Sequence, residues 1–197
     1  MFSGSSVFQS EEIKQWFFYA VKRRTFAALG YVSMLILGCP GSGVAGMLCF
    51  LLAFCVLRRY IGGYHASTML RCLCFSLLQT LICVYVLFPI FAQNAAVSTL
   101  LLQAFSVASV FSLAPLSPPQ MKRDAVQEAE CKRRSRRNVM VQALVIFALG
   151  MAGCMDEMLW GTLGTVCAAV SLWIEYFCRR EEKRNEQNQA KAAGKGS

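Results

Sequence analysis

A histidine and a cysteine seven residues apart are the side chains of this sequence best suited to chemistry. His65 is the only histidine in 197 residues, and it follows a double glycine in the segment RRYIGGYHASTMLRCLC, residues 58–74. Cys72 comes after it, directly behind Arg71. A cysteine becomes a nucleophile when a nearby base or cation holds it as the thiolate. The segment therefore offers Cys72 as a candidate nucleophile and His65 as its candidate base.

The spacing limits how this pair can meet. On one continuous helix, side chains seven residues apart share a face but lie about 10 Å apart along the axis, too far for a hydrogen bond. The glycines at 62 and 63 permit backbone conformations that other residues disfavour. We therefore predict a bent GGYH segment that brings His65 onto the start of the next helix. The dipole of that helix would also favour a thiolate at Cys72.

Simpler interpretations of the same residues stay open at this stage. A lone histidine can be an interfacial anchor, and ten cysteines make a chance spacing easy. A metal site at His65, Cys72 and Cys74 is less favoured, because positions two apart on a helix face different sides. We predict no metal and no cofactor. The residue that would orient the pair is unassigned among Ser76, Gln79, Asp124 and Glu128.

The composition is that of a membrane protein. The chain is 56% hydrophobic and 16% charged, with a mean hydropathy of +0.45, which is outside the range of ordinary soluble domains. Six apolar runs approach the roughly 20 residues that a membrane-spanning helix needs. We predict an all-α polytopic membrane protein with an N-terminal interfacial amphipathic helix at 8–24. The six runs are 25–40, 43–57, 70–92, 95–116, 139–154 and 157–178.

The distribution of charge predicts the topology. All 20 lysines and arginines fall in the segments that would be cytoplasmic if both termini were cytoplasmic, and the opposite loops hold none. The chain then divides into an N-terminal segment, a six-helix domain and a cytoplasmic tail with a disordered end, and we expect no cleavable signal peptide. These parts are 1–24, 25–178 with cytoplasmic loops 58–71 and 117–138, and 179–197.

The charge and the positions of the cysteines also bear on other classes of protein. The net charge of +9 lies beside the apolar runs, where it suits anionic membrane lipids and not nucleic acid. Most cysteines lie inside apolar runs, and we expect no disulfide between Cys39 and Cys154 near the outer face. Few ionisable residues lie within the runs, which disfavours an ion-coupled carrier. The main exception, Glu175, is spaced to pair with Arg179.

The motif and the topology together resemble a known family. The order Arg58, GGYHA and Cys72 at the cytoplasmic end of the third of six spans, with APLSPP opening a basic loop after the fourth, is similar to the accessory gene regulator B family. Members of that family are membrane-embedded cysteine endopeptidases. The resemblance implies that His65 and Cys72 are the catalytic pair and that Cys74 is a packing residue. It also implies supporting roles for Arg58 and Gly63, and the sequence adds Arg71 as a neighbouring positive charge.

The resemblance also implies a substrate and a location. The family cleaves the acidic C-terminal tail from a short amphipathic propeptide through an acyl-enzyme thioester, which allows cyclisation to a thiolactone or lactone quorum-sensing signal. The expected location is the bacterial cell membrane, multi-pass, with both termini cytoplasmic. A small transporter or exporter and a non-catalytic membrane scaffold are the alternatives. The oligomeric state, including a homodimer, is open.

Overall fold

The computed structural model describes residues 5–61, 69–116 and 125–193, and within these ranges the chain is helical apart from short turns. The predicted all-helical fold is confirmed for this part of the chain. A π-helical turn, Cys83–Leu87, joins the second helix to the third. The helices are α1 Ser5–Ile61, α2 Met69–Ile82, α3 Phe88–Ala92, α4 Ala95–Leu113, α5 Ala125–Met151 and α6 Met155–Ala193.

Helix α1 is folded back on itself at Gly43. This glycine has φ 68° and ψ 167°, a region of backbone space that is open essentially to glycine alone. The Tyr31 side chain on the first arm hydrogen-bonds to Cys55 on the second. A straight helix would separate those two residues by about 36 Å. The two arms, 5–42 and 44–61, therefore lie side by side and run in opposite directions.

Four stretches of the described chain are long and apolar enough to cross a membrane. Helix α5 is not among them, because it is charged as far as Arg137 and only its remainder, 138–151, is free of charge. The first stretch contains the reversal at Gly43 and so has two apolar arms. The four stretches are Arg24–Ile61, Leu73–Ala92, Ala95–Leu113 and Met155–Gln189.

Helix α6 lies at the centre of the bundle. In the most apolar part of α6, 78% of the residues are buried. In the other three stretches 39% or less are buried, so most of their apolar side chains face outward from the bundle. A methyl group at Gly164 would overlap the Phe50 carbonyl, and one at Gly46 would overlap the Trp160 ring. Glycine therefore lets α6 and the second arm of α1 approach closely.

The two ends of the chain differ from the sequence predictions. Residues 5–24 are helical and continue into the following apolar arm without a break, so the predicted amphipathic segment is not a separate helix. Its position at the membrane surface stays a prediction. The predicted disorder of the last ten residues is wrong up to Ala193, because α6 continues to that residue. Beyond Arg179 its charged side chains are exposed as far as the burial is described, to 189.

Candidate active site

The backbone brings the last turn of α1 and the first turn of α2 to one end of the bundle. Helix α1 ends at Ile61, four residues before His65, and Cys72 lies in the first turn of α2. Helix α2 runs parallel to the first arm of α1: a Cβ built on Gly30 would lie 3.1 Å from Leu73 Cδ1, and further along the Tyr85 hydroxyl donates to the Leu37 carbonyl over 3.2 Å. The chain therefore reverses between α1 and α2, which excludes one straight helix through 60–74.

The side chains of the predicted catalytic pair, His65 and Cys72, lie outside the described part of the structure. His65 and Gly63 fall in 62–68, and of Arg71 and Cys72 only the backbone is described, as part of α2. The bent GGYH segment and the contact between His65 and Cys72 therefore stay predictions. The end of α1 that precedes this segment is described, together with its contacts.

Two bonds from other parts of the chain hold the end of α1. The buried Ser135 hydroxyl on α5 donates to the Tyr60 carbonyl over 3.0 Å. The backbone N–H of Leu116, in the segment after α4, donates to the Ile61 carbonyl over 3.1 Å. The last carbonyls of a helix have no partner within it. Here two of those carbonyls are satisfied by α5 and by the segment that leads into the basic loop.

Two arginines near this end lie over aromatic rings. The Arg58 guanidinium lies over the Phe54 ring, 5.3 Å from its centroid, and it is partly buried. Arg136 on α5 lies over Phe111 at 4.9 Å and donates to the Phe111 carbonyl over 3.0 Å. The adjacent residues Ser135 and Arg136 thus bind the carboxyl ends of α1 and α4 respectively. Sequence reasoning did not find either residue, because both contacts join segments far apart in the chain.

The four residues that could orient His65 and Cys72 differ in their contacts and exposure. The Gln79 amide donates to the Cys167 carbonyl over 2.7 Å, and its oxygen accepts from Ser171 over 3.4 Å, so both ends of this side chain are used by α6. Ser76 is partly buried on α2. Glu128 is exposed on α5, and Asp124 lies outside the described residues. Gln79 therefore acts as a bridge between helices, and the orienting role stays unassigned.

A buried carboxylate lies on α6 near the level of α2's first turns. Glu175 is 8% exposed and accepts from Arg179 Nε over 2.7 Å, which confirms the pairing predicted from their spacing. Ser171 on α6 is bonded to Gln79 on α2, and the two helices are antiparallel. One turn further along α6 therefore corresponds to one turn back along α2, which sets Glu175 close to the level of Ser76. An anionic side chain thus lies about one turn from the level of Cys72.

The described cysteines are all free thiols, Cys39 and Cys154 included. Cys74, for which the resemblance implies a packing role, is exposed in the described structure. Position 74 lies on another side of α2 from Gln79, which faces α6. Cys83 and Cys167 are buried with their sulfur atoms 3.0 Å apart, and they join the π-helical turn to α6. Together with the bond from Gln79 to the Cys167 carbonyl, this contact joins the segment 79–83 to α6.

The long apolar helices define a helical membrane protein, with the end of α1 and the first turn of α2 at one end of its bundle. The profile of the accessory gene regulator B family matches residues 5–177, which includes His65, Cys72 and nearly all of the apolar chain. The chain belongs to the accessory gene regulator B family. Membership indicates a role in processing a quorum-sensing peptide at a membrane. Searches of curated proteins and of solved structures return no match to this chain.

Proposed function

We propose that this protein is a membrane cysteine endopeptidase that cleaves a short propeptide at Cys72, with His65 as the base. The observation that carries the proposal is the reversal between α1 and α2. It brings the last turn of α1, which ends four residues before His65, and the first turn of α2, which holds Cys72, to the same end of the bundle. Family membership supports the same pair, because the matched range contains both residues.

The proposed topology has six crossings with both termini in the bacterial cytoplasm. The crossings are the two arms of α1, the continuous α2 to α3 segment, α4, the uncharged half of α5, and α6. The short fifth crossing is completed by arginines whose long side chains reach the interface. The reversal at Gly43 and the turns at 93–94 and 152–154 lie at one end, and their lack of lysine and arginine supports an external position.

The proposed chemistry is acyl transfer in two steps. His65 accepts the thiol proton of Cys72, and the thiolate attacks the carbonyl carbon of the scissile peptide bond. The carbon–nitrogen bond then breaks, the leaving amine takes the proton from His65, and the amino-terminal fragment remains on Cys72 as a thioester. A thiol or hydroxyl of that fragment gives its proton to His65 and attacks the same carbonyl, which closes a thiolactone or lactone ring and breaks the bond to Cys72; the released thiolate then takes the proton back from His65.

Supporting roles are proposed for charged residues at the same end. Arg58 and Arg71, with the basic loop 117–138, would attract and orient an acidic substrate tail. The hydrogen bond between Ile61 and Leu116 supports this, because it holds the base of the basic loop against the end of α1. Gly63 would provide the backbone freedom that the approach of His65 needs.

The proposal is tested by co-expression with a candidate propeptide, followed by mass spectrometry of the products. Cys72→Ala and His65→Ala should each reduce cleavage by at least about 100-fold, since nucleophile and base act as a unit. Cys74→Ala is the matched control, because it removes an exposed thiol from the same helix. Full cleavage by the Cys72→Ala protein would refute the mechanism.

A further inference from the structure

The carboxyl end of α1 is held by a side chain that no part of the proposed chemistry uses. Ser135 is fully buried on α5, and its hydroxyl lies 3.0 Å from the Tyr60 carbonyl and 2.8 Å from the Cys131 carbonyl of its own helix. The hydroxyl has one proton, so the two carbonyls share it. The bond to Cys131 alone would satisfy the hydroxyl within its helix, and the shared bond to Tyr60 is the contact that joins two helices.

That contact is made five residues before His65, at the last turn of the helix that leads to it. Ile61 is also fully buried, and its carbonyl accepts from the Leu116 backbone. Two consecutive carbonyls of α1 are thus fixed from two different segments. A segment that starts from a fixed helix end has fewer positions to sample than one that starts from a fraying end.

Ser106 provides a comparison within the same bundle. It is fully buried on α4, and its hydroxyl donates to the Leu102 carbonyl over 3.0 Å, one turn earlier in its own helix. The two serines therefore share burial and the bond to their own helix. They differ in that Ser135 also reaches Tyr60 on a neighbouring helix.

We propose that Ser135 is a positioning residue for the active site: its hydroxyl fixes the carboxyl end of α1 and so sets where His65 stands relative to Cys72. The inference rests on the proposed function. It follows from the sensitivity of proton transfer to geometry, because a displacement of about 1 Å can cost a catalytic group much of its effect. The Ser135 hydroxyl acts through the backbone and does not contact the substrate.

The test compares Ser135→Ala, Ser135→Thr and Ser106→Ala in the full-length protein with a propeptide. We expect Ser135→Ala to lower kcat for cleavage about 5- to 20-fold with KM changed less than about two-fold, since a mispositioned base affects the chemical step. Ser135→Thr keeps the hydroxyl and should recover most of kcat. Ser106→Ala should stay within about two-fold of the native enzyme, because no interhelical bond is lost.

A second measurement separates positioning from general stability. The rate of alkylation at Cys72, mapped by mass spectrometry across pH, reports how far His65 activates the thiol. Ser135→Ala should slow this rate in the native background and leave it unchanged in the His65→Ala background, because the two changes act on one interaction. This measurement requires no turnover, so it applies even to a poorly stable variant.

The outcomes separate the inference from the proposed function. Equal behaviour of Ser135→Ala and Ser106→Ala, or failure of Ser135→Thr to recover kcat, would overturn the positioning role. An equal slowing of Cys72 alkylation in both backgrounds would overturn it as well. If Cys72→Ala cleaves normally, the proposed function itself fails, whatever the Ser135 variants do.

Discussion

At the residue scale, this bundle uses small polar groups as bridges between helices. Gln79 joins α2 to α6, Thr165 on α6 donates to Gln103 on α4 over 3.0 Å, and Trp173 on α6 donates to Ser109 on α4 over 3.0 Å. Apolar contact alone does not drive helices together in a membrane, so packing and such hydrogen bonds contribute to their association. The sequence shows these residue types but not their partners, which lie more than 60 positions away.

Gln79→Leu tests the bridge in which one side chain makes two hydrogen bonds to another helix. The change removes the bond to the Cys167 carbonyl and the contact with Ser171, while keeping a side chain of similar size. We expect the free energy of unfolding in mixed micelles to fall by about 1 to 2 kcal/mol, at roughly 0.6 to 1 kcal/mol per interhelical bond. Leu78→Ala is the control, because Leu78 is exposed on the outer side of α2. A fall no larger than that of the control would contradict the bridging role.

At the element scale, the apolar runs of the sequence predict where helices form but not how they are grouped. The runs at 25–40 and 43–57 both lie in α1, and only the backbone at Gly43 shows that they fold back on each other. The run at 139–154 lies in α5 as far as Met151, and the charged residues that precede it as far as Arg137 keep it from standing out as a span. The apolar run of α6 resembles the other runs in composition, so the sequence does not show that α6 is the central helix. The burial of a helix depends on which helices pack around it.

Gly43→Ala tests the reversal within α1. No atom lies within 4 Å of a Cβ built at this position, so the substitution tests backbone strain without a steric clash. At φ 68° and ψ 167° we expect a cost of about 1 to 3 kcal/mol in the free energy of unfolding. Gly43→Asn should cost as much, since asparagine tolerates the left-handed helical region but not this one.

The matched control for Gly43 is Val44→Ala. Val44 is exposed and lies in the helical arm that follows. Loss of an exposed side chain in a helix should leave the stability within about 0.5 kcal/mol of the native value. If Gly43→Ala were as stable as Val44→Ala, the tight reversal would be ruled out.

At the scale of the whole molecule, charge and topology agree. Basic residues lie at the carboxyl end of the second α1 arm, at the starts of α2 and α5 and at the end of α6, and the opposite turns carry none. The first turn of α2 lies at the basic end, and the positive-inside rule is the ground on which we propose that this end faces the cytoplasm. The sequence alone predicted this partition because it depends on composition, whereas the bonds that hold the end of α1 depend on tertiary contacts.

Labelling of native cysteines tests the orientation. Cys154 is exposed in the turn between α5 and α6, and Cys131 lies in the charged half of α5. In whole cells we expect a membrane-impermeant maleimide to modify Cys154, and to reach Cys131 only after the cells are opened. The modified sites are identified by mass spectrometry. Labelling of Cys131 in intact cells, with Cys154 protected, would reverse the proposed orientation.

The central claim is that Cys72 carries the substrate as a thioester, and the most direct measurement is to find that adduct. The purified protein is mixed with a propeptide, quenched in acid and digested, and the Cys72 peptide is analysed by mass spectrometry. We predict that this peptide carries the mass of the amino-terminal fragment, that hydroxylamine releases it, and that His65→Ala greatly reduces its formation. A cleaved product with no adduct on Cys72 at any time, or an adduct on another cysteine, would contradict the account.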